Sequence, residues 1–260
     1  MKRRMRCLFK GIVQGVGFRP FIFRTAVACG LSGFVRNSRE GVVVEVEGAG
    51  EAVEHFLAAV RANPPPRADI TGFSCTAVPL THAASFEIIT SAPEGGIDVH
   101  SAPDSATCPD CLAELFTPAD RRFRYPFINC TGCGPRLTIV RDIPYDRANT
   151  SMACFPLCPQ CAQEYANPAD RRFHAELIAC PACGPKLALY DAAGNPAAED
   201  DALAGAVRQL HQGAIIAVKG LGGFHLCVDA ASDAAVQRLR FRKCREEKPL
   251  AVMVKDIAAA

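Results

Sequence analysis

Residues 11–20 of the chain read Gly-Ile-Val-Gln-Gly-Val-Gly-Phe-Arg-Pro, and this stretch indicates how the first domain folds. A strand-like segment from Met5 to Val13 leads into it, and Pro20 fits the first turn of a helix that Gly30 can end. A glycine-rich turn between a strand and a helix N-terminus can direct backbone N–H groups at an anion. The stretch therefore predicts a phosphate-binding loop.

The segments after this loop predict the rest of a small α+β domain. Residues 34–37 and 42–47 are strand-like and flank a short turn, which is typical of a β-hairpin. A helical apolar stripe predicts a second helix from Glu51 to Ala62, and further strands follow near residues 70–77 and 86–89. The order βαββαβ is the ferredoxin-like pattern, a four-stranded sheet with two helices on one face. We expect this domain to cover residues 1–91.

Two side chains near the loop are suited to phosphate chemistry. Arg19 offers a planar fork of donors for two phosphate oxygens, and Asn37 can hold a water for in-line attack on phosphorus. A turn that merely connects two elements remains the alternative, because short glycine motifs are common. Other phosphate motifs fit less well, since the loop lacks the Gly-Lys-Ser/Thr of a Walker motif and Pro20 replaces the third glycine of a dinucleotide fingerprint.

Val-Gln-Gly-Val-Gly-Phe-Arg, followed by an asparagine before a hairpin, resembles the acylphosphatase signature. The resemblance covers about residues 5–90 and implies that Arg19 binds the phosphate while Asn37 orients the water. It also implies that backbone amides of the loop bind the phosphate, namely those of Gln14, Gly15, Val16, Gly17 and Phe18.

Eight of the 14 cysteines form a duplicated Cys-x2-Cys-x18-Cys-x2-Cys pattern after a linker at residues 92–107. Four thiolates at such spacing form the closed tetrahedral shell of a structural zinc site. We therefore predict two structural zinc ions in a module at residues 108–190. The ligands are Cys108, Cys111, Cys130 and Cys133 in the first repeat, and Cys158, Cys161, Cys180 and Cys183 in the second.

The spacing leaves some alternatives open for this module. Redox-active dithiols would need a thioredoxin-like setting, which four pairs in a duplicated frame argue against. Each repeat is expected to close its own site, although pairing between the repeats would use the same eight ligands. Cys154 has no counterpart in the first repeat and is interpreted as a spare thiol, and His174 as a packing or hydrogen-bonding residue.

Charge and hydropathy exclude several classes of function. The net charge of +2, the absence of Trp and the aspartates before each Arg-Arg pair argue against a nucleic-acid binder, although zinc fingers suggest one. No apolar run approaches the roughly 18 residues of a membrane span. Cysteines paired for metal, without a recognisable leader, predict a cytoplasmic protein.

Residues 200–260 predict the start of an α/β domain, with a helical apolar stripe at 203–210, a strand-like segment at 214–218 and a helix that Ser232 can cap. Cations lie at the ends of its expected strands and helices, where they could hold a triphosphate or simply face solvent. These candidates are Lys219, Arg242, Lys243, Arg245 and Lys248. The stretch from Pro249 to Lys255 is interpreted as a buried strand without a partner after it, so we expect the natural protein to continue beyond Ala260.

The cysteine-rich segment extends the resemblance. Its residues 125–136, Pro-Tyr-Asp-Arg147 and Arg-Arg-Phe-His174 look like the zinc-finger segment of the HypF family, and residues 219–226 and 248–253 are similar to the YrdC-like domain of that family. The resemblance implies a carbamoyltransferase of nickel-iron hydrogenase maturation. Carbamoyl phosphate would be hydrolysed in the acylphosphatase-like domain, the carbamate activated with ATP, and the carbamoyl group passed to the C-terminal cysteine of HypE.

Two further interpretations compete with this one. The first is a zinc-stabilised interaction module whose acylphosphatase-like domain is inactive, and the second is a standalone acylphosphatase. The 260 residues alone are expected to support at most the hydrolytic step, because only the start of the YrdC-like domain is present.

Overall fold

The computed structural model describes residues 1–92, 96, 98–197, 201–220 and 223–259. Its contacts divide the chain into two compact units, Met1–Pro185 and Lys186–Ala260. Some predicted features lie outside the described residues: the linker positions 93–95 and 97, the Leu221-Gly222 pair of the third segment, and the domain bounds at 200 and 260.

The first domain forms a five-stranded sheet in the order β4-β1-β3-β2-β5. Neighbouring strands are antiparallel, except that β5 runs parallel to β2. The predicted order of elements is confirmed, and the three-residue β5 extends the expected four-stranded sheet at one edge. The elements are β1 (Lys2–Ile12), α1 (Phe18–Ala28), β2 (Ser32–Ser38), β3 (Gly41–Ala49), α2 (Gly50–Ala62), β4 (Asp69–Ala77) and β5 (Phe86–Ile88).

Alternation along the strands places apolar side chains on the face that the helices cover. Phe9, Val44, Ile22 of α1 and Phe56 of α2 all belong to this core and are fully buried. Cys7 lies opposite Cys75 on the neighbouring strand, and their sulfur atoms are in contact. Burial of these side chains is the main favourable term that fixes the sheet and the two helices together.

The N-terminal half of the phosphate loop is attached to the hairpin. A register shift between Lys10 and Gly11 interrupts the regular pairing of β1 with β4, which continues in the new register to Ile12, where the strand ends and the loop begins. The side-chain amide of Gln14 then donates to the carbonyl oxygens of Ser38 and Gly41, at 2.7 and 2.9 Å. The loop and the end of β2 are therefore held side by side.

The cysteine-rich segment contains two copies of one small repeat. Both copies belong, with the sheet, to the compact unit Met1–Pro185. Each copy has an eight-residue helix that begins at the proline after its first cysteine, α3 (Pro109–Phe116) and α4 (Pro159–Ala166). Proline suits that position because the first helical N–H needs no intrahelical partner. Short 3-10 turns at Arg147–Asn149 and Ser151–Cys154 lie between the copies.

The unit Lys186–Ala260 contains α5 (Ala202–His211), the hairpin of β6 (Ile216–Gly220) and β7 (Gly223–Cys227), and α6 (Asp233–Lys243). Ser232 caps α6 as expected, accepting from the N–H of Ala235. The buried strand predicted at 249–255 is wrong, because these residues form no strand and Met253 is 98% exposed. The described residues supply no neighbouring strand for its backbone groups.

Within the described ranges, the structure contains no helix with the length and apolar character needed to cross a membrane.

Candidate phosphate site and zinc centres

The backbone of the phosphate loop curls as its glycines permit. Gly15 and Gly17 have φ angles of 72° and 77°, in the left-handed region that side chains with a Cβ rarely adopt. Gly17 precedes the first residue of α1, so the unpaired N–H groups of the first helical turn lie at the loop. This end of the helix favours an anion.

Arg19, in the first turn of α1, is 8% exposed and is surrounded by acceptors from the cysteine-rich segment. Its Nη1 donates to Oδ1 of Asp146 at 2.7 Å and its Nη2 to Oε1 of Glu176 at 2.6 Å. Nη2 also lies 3.2 Å from the carbonyl oxygen of Tyr145. The guanidinium is therefore aimed at the loop but engaged by two carboxylates.

Asn37 lies near the end of β2 and contacts the same carbonyl oxygen of Tyr145 as Arg19 does. Its Nδ2 donates to the carbonyl oxygen of Tyr145 at 2.9 Å, while Gln14 Oε1 accepts from the N–H of Tyr145 at 2.8 Å. The Oδ1 atom of Asn37 is buried and has no hydrogen-bond partner among the described residues. Buried amide oxygens are normally paired, so this one is available to a water or a substrate.

Burial and charge act in opposite directions on the ion pairs of Arg19. Burial would lower the pKa of Arg19, but Glu176 and Asp146 raise it, so the guanidinium stays charged. Burial raises the pKa of Glu176, and the charge of Arg19 opposes that rise. Tyr165 supports Glu176 by donating its hydroxyl to both carboxylate oxygens, at 3.1 and 3.2 Å.

These residues enclose a small cavity. About 20 Å³ of this cavity is accessible to a water-sized molecule. Its lining includes Arg19, Asn37, Thr131, His174 and Glu176. A single water needs roughly 10–15 Å³ by this kind of measure. The cavity thus has room for about one water, and in the described conformation the donors that a phosphate group would need on Arg19 are engaged by Asp146 and Glu176.

The eight paired cysteines form two four-sulfur clusters, one in each repeat. Along the cluster of Cys108, Cys111, Cys130 and Cys133, neighbouring sulfurs lie 3.6–3.7 Å apart, and along that of Cys158, Cys161, Cys180 and Cys183 they lie 3.6–3.8 Å apart. A tetrahedron with metal–sulfur distances of about 2.3 Å has edges of about 3.8 Å. Each repeat closes its own structural zinc site, and pairing between the repeats is ruled out.

The two zinc centres are linked by arginines that each repeat directs at the other. Arg171 of the second repeat donates to Cys111 Sγ at 3.1 Å, and Arg121 of the first donates to Cys161 Sγ at 2.7 Å. Burial would lower the pKa of Arg171, but Cys111 and Glu114 raise it. Positive charge beside thiolates stabilises the anionic four-sulfur shell. Cys154 is exposed and lies outside both clusters, as expected for a spare thiol.

The predicted nucleotide-binding cations lie in two places in the unit Lys186–Ala260. Arg242 and Lys243 end α6, and Arg245 and Lys248 follow them along the chain. Lys219 lies in β6, paired with Phe224 of β7. All are exposed except Arg245, which is half-buried and contacts the carbonyl oxygen of Pro249 at 3.5 Å.

The sequence interpretation missed the wall that the cysteine-rich segment provides for the phosphate site. Tyr145, Asp146 and Glu176 contact Arg19, and Arg136 donates to the carbonyl oxygen of Gly15. One signal was available, because Glu176 in the second repeat replaces Pro126 at the equivalent position of the first. A carboxylate that appears in only one copy of a repeat indicates a role outside the shared frame.

Comparison with known proteins accounts for most of the chain. Residues 5–88 match the family model described as Acylphosphatase, residues 107–140 and 157–190 the HypF finger, and residues 208–260 the model described as Telomere recombination. The acylphosphatase of Chlorobaculum tepidum is 35% identical over 34% of this chain and 98% of its own length.

Longer relatives match nearly the whole chain. Carbamoyltransferase HypF2 of Cupriavidus necator is 54% identical over 99% of the chain, and a crystal structure of full-length HypF in the phosphate- and nucleotide-bound form is 45% identical with a TM-score of 0.93. The chain spans 32% of the length of the first and 34% of the second.

Proposed function

Because the chain belongs to the HypF family of carbamoyltransferases, we propose that its loop at residues 14–18 binds the phosphate of carbamoyl phosphate and catalyses its hydrolysis. The observation that supports this most directly is that a charged, buried Arg19 and an Asn37 Oδ1 without a partner in the described part of the chain converge on one helix N-terminus. Electrostatic stabilisation and positioning supply most of the catalysis of phosphoryl transfer.

Arg19 and Asn37 have different roles in the hydrolysis. Arg19 leaves Asp146 and Glu176 and takes two phosphate oxygens, together with the loop amides. Asn37 accepts a hydrogen bond from a water and aligns its oxygen with phosphorus. The new oxygen–phosphorus bond forms as the bond from phosphorus to the acyl oxygen breaks, and carbamate leaves. One proton of the water stays on the phosphate and the other passes to solvent.

Phosphate release from carbamoyl phosphate tests this assignment. We expect Arg19→Ala and Asn37→Ala each to lower kcat/KM by about 100-fold or more, as for removal of one preorganised donor. Arg24→Ala is the matched control, because Arg24 is an exposed arginine of the same helix. No release by the wild type, or undiminished release by Arg19→Ala, would instead favour the zinc-stabilised interaction module with an inactive site.

The two zinc ions are structural, and the proposal assigns them no step of the reaction. For the complete protein, we propose that the YrdC-like domain uses ATP to activate the carbamate and that the carbamoyl group is transferred to the C-terminal cysteine of HypE. Lys219, Arg242, Lys243, Arg245 and Lys248 are proposed to contribute to ATP binding. A cytoplasmic location is proposed on the chemistry of the zinc thiolates, which need a reducing compartment.

ATP binding to the complete protein is the test of the five cations. Isothermal titration should show weaker binding after Arg242→Ala than after Arg208→Ala, a substitution in α5. Equal affinities would contradict the role of Arg242.

A further inference from the structure

The two zinc repeats have the same backbone conformation at one turn but differ in which of its side chains are buried. Arg124 and His174, at equivalent positions 50 residues apart, both have left-handed φ angles, 56° and 51°. Phe123 and Arg124 are exposed, whereas their counterparts Phe173 and His174 are buried and half-buried. Because both copies adopt the left-handed turn, the turn belongs to the shared frame. The burial belongs to the second copy alone.

The second copy is covered because it packs against the sheet domain at the phosphate loop. The rings of Phe173 and Phe23 of α1 meet edge to face, with centroids 5.2 Å apart. Glu176 reaches Arg19, and His174 lines the same cavity as Asn37 and Arg19. The second repeat therefore forms one wall of the phosphate site, beside Thr131 and Arg136 of the first repeat.

His174 is held in this wall by contacts with neighbouring rings and by a hydrogen bond of its backbone. Its ring lies 4.7 Å, between centroids, from those of Tyr165 and Phe173, and its backbone N–H donates to the carbonyl oxygen of Tyr165 at 3.0 Å. The Nδ1 atom is buried and has no partner in the described part of the chain. Burial, and then the charge of Arg19, lower the pKa of His174 to about 4, so the imidazole is neutral near pH 7 and keeps one acceptor nitrogen.

We infer that Nδ1 of His174 accepts a hydrogen bond from the amide group of bound carbamoyl phosphate and makes the site selective for carbamoyl over hydrocarbon acyl groups. The inference rests on the proposed hydrolysis. The carbamoyl group carries N–H donors at its acyl end, where acetyl phosphate carries a methyl group. A methyl group at that place would leave the buried nitrogen unpaired, and sites built around a hydrogen bond discriminate against analogues that lack it.

The ratio of kcat/KM for carbamoyl phosphate to that for acetyl phosphate measures this selectivity in the 260-residue chain. His174→Phe keeps a ring against Tyr165 and removes the acceptor, so we expect the ratio to fall about tenfold through the carbamoyl term alone. His174→Asn, whose amide oxygen can take the place of Nδ1 and which tolerates a left-handed backbone, should recover part of the ratio. Arg124→Phe, at the equivalent position of the first repeat, should leave it unchanged.

Each other outcome counts against the inference. If His174→Phe lowers both activities equally, the residue only supports the wall; if the ratio is unchanged in both His174 variants, the nitrogen does not meet the amide. A wild-type chain that hydrolyses acetyl phosphate but not carbamoyl phosphate overturns the selectivity while the phosphate loop stands. A wild-type chain that hydrolyses neither overturns the proposed function itself.

Discussion

Arg19 carries a charge for which two kinds of anion compete. Asp146 and Glu176 hold its guanidinium in the described conformation, and a phosphate group needs the same donors. Their side chains differ in exposure, 26% for Asp146 and 4% for Glu176. Asp146 can leave Arg19 at a lower free-energy cost than Glu176. An exposed carboxylate is hydrated again when its ion pair breaks, whereas a buried one is left without a partner or water.

Removal of the charge of Asp146 should therefore strengthen phosphate binding. We expect Asp146→Asn to lower the inhibition constant of inorganic phosphate about threefold to tenfold, because Arg19 then has one carboxylate fewer to exchange for the ligand. Competitive inhibition of acetyl phosphate hydrolysis measures it. Asp142→Asn, an exposed aspartate four residues earlier, is the control. Unchanged or weaker inhibition in Asp146→Asn would show that the carboxylate does not compete with phosphate.

Prediction from sequence located the residues whose position depends on their near neighbours in the chain. The glycines of the loop, Arg19 beside them and the cysteine pairs were all recognisable from spacing. Tyr145 and Glu176 were not, because they reach Arg19 across 126 and 157 residues and no local pattern records such contacts. His174 was interpreted as a packing or hydrogen-bonding residue, and only the fold shows that its Nδ1 has no partner among the described residues.

At the scale of elements, β3 shows that a loop can bury polar side chains that alternate with the apolar ones of a strand. Glu47 alternates with buried valines, yet the structure leaves it 3% exposed under the segment after β4. Its carboxylate accepts from the N–H groups of Thr81 and His82, at 2.8 and 2.9 Å. Alternation of glutamate with valine is typical of a strand with one solvent-facing side, whereas here the segment after β4 covers that side.

This arrangement makes the stability of the sheet domain sensitive to acid. The N–H of Thr81, and then that of His82, hold the pKa of Glu47 below its usual 4.5 despite burial. A carboxylate with a depressed folded-state pKa stabilises the fold above about pH 4.5, and that contribution is lost as the pH falls through the folded pKa. Glu47→Gln should therefore flatten the decline of the urea midpoint between pH 5 and 3. An unchanged decline would contradict the role of Glu47.

The reciprocal arginines of the zinc repeats give a second element-scale prediction. Arg171→Leu should speed zinc loss from the site of Cys111, and Arg121→Leu from that of Cys161, because outer contacts typically alter metal affinity by about 10–100-fold. Release to a chromogenic chelator can be followed, with each phase assigned by Cys108→Ser and Cys158→Ser. Each arginine variant is the control for the other. If both variants speed the release from the same site, the crossed contacts are wrong.

At the scale of the whole molecule, the sheet domain and the zinc repeats have separate cores inside one compact unit. The sheet core contains Phe9 and Phe56, whereas the repeats pack around Ile128 and Ile178. Zinc holds the latter, because small cores with metal ligands depend on the ion for folding. The sheet domain has an apolar core of its own.

Chelation should therefore unfold one part of the unit first. In reduced protein stripped of zinc, we expect trypsin to cleave after Arg121, Arg122, Arg171 or Arg172, which the zinc-loaded protein protects, while residues 5–88 persist as a fragment. Mass spectrometry of a time course identifies the cuts. Simultaneous loss of the sheet domain would contradict separate cores.

The third segment marks the limit of what the chain specifies alone. The helices α5 and α6 and the strand β6 were predictable from apolar spacing and a serine cap, since both are local signals. The stretch at residues 249–255 was not, because an apolar run becomes a strand only when a neighbour pairs its N–H and C=O groups. The sequence determines the preference for a β-strand, and a neighbouring strand determines whether the β-strand forms.

The central claim is that water, held by Asn37, attacks the phosphorus of an acyl phosphate bound at Arg19. Hydrolysis of carbamoyl phosphate in water enriched in oxygen-18 tests it directly, with the released phosphate analysed by mass spectrometry. Attack at phosphorus places one labelled oxygen in each phosphate released by the wild-type chain. Enzyme-dependent release of unlabelled phosphate would contradict the account, because water would then have attacked the acyl carbon.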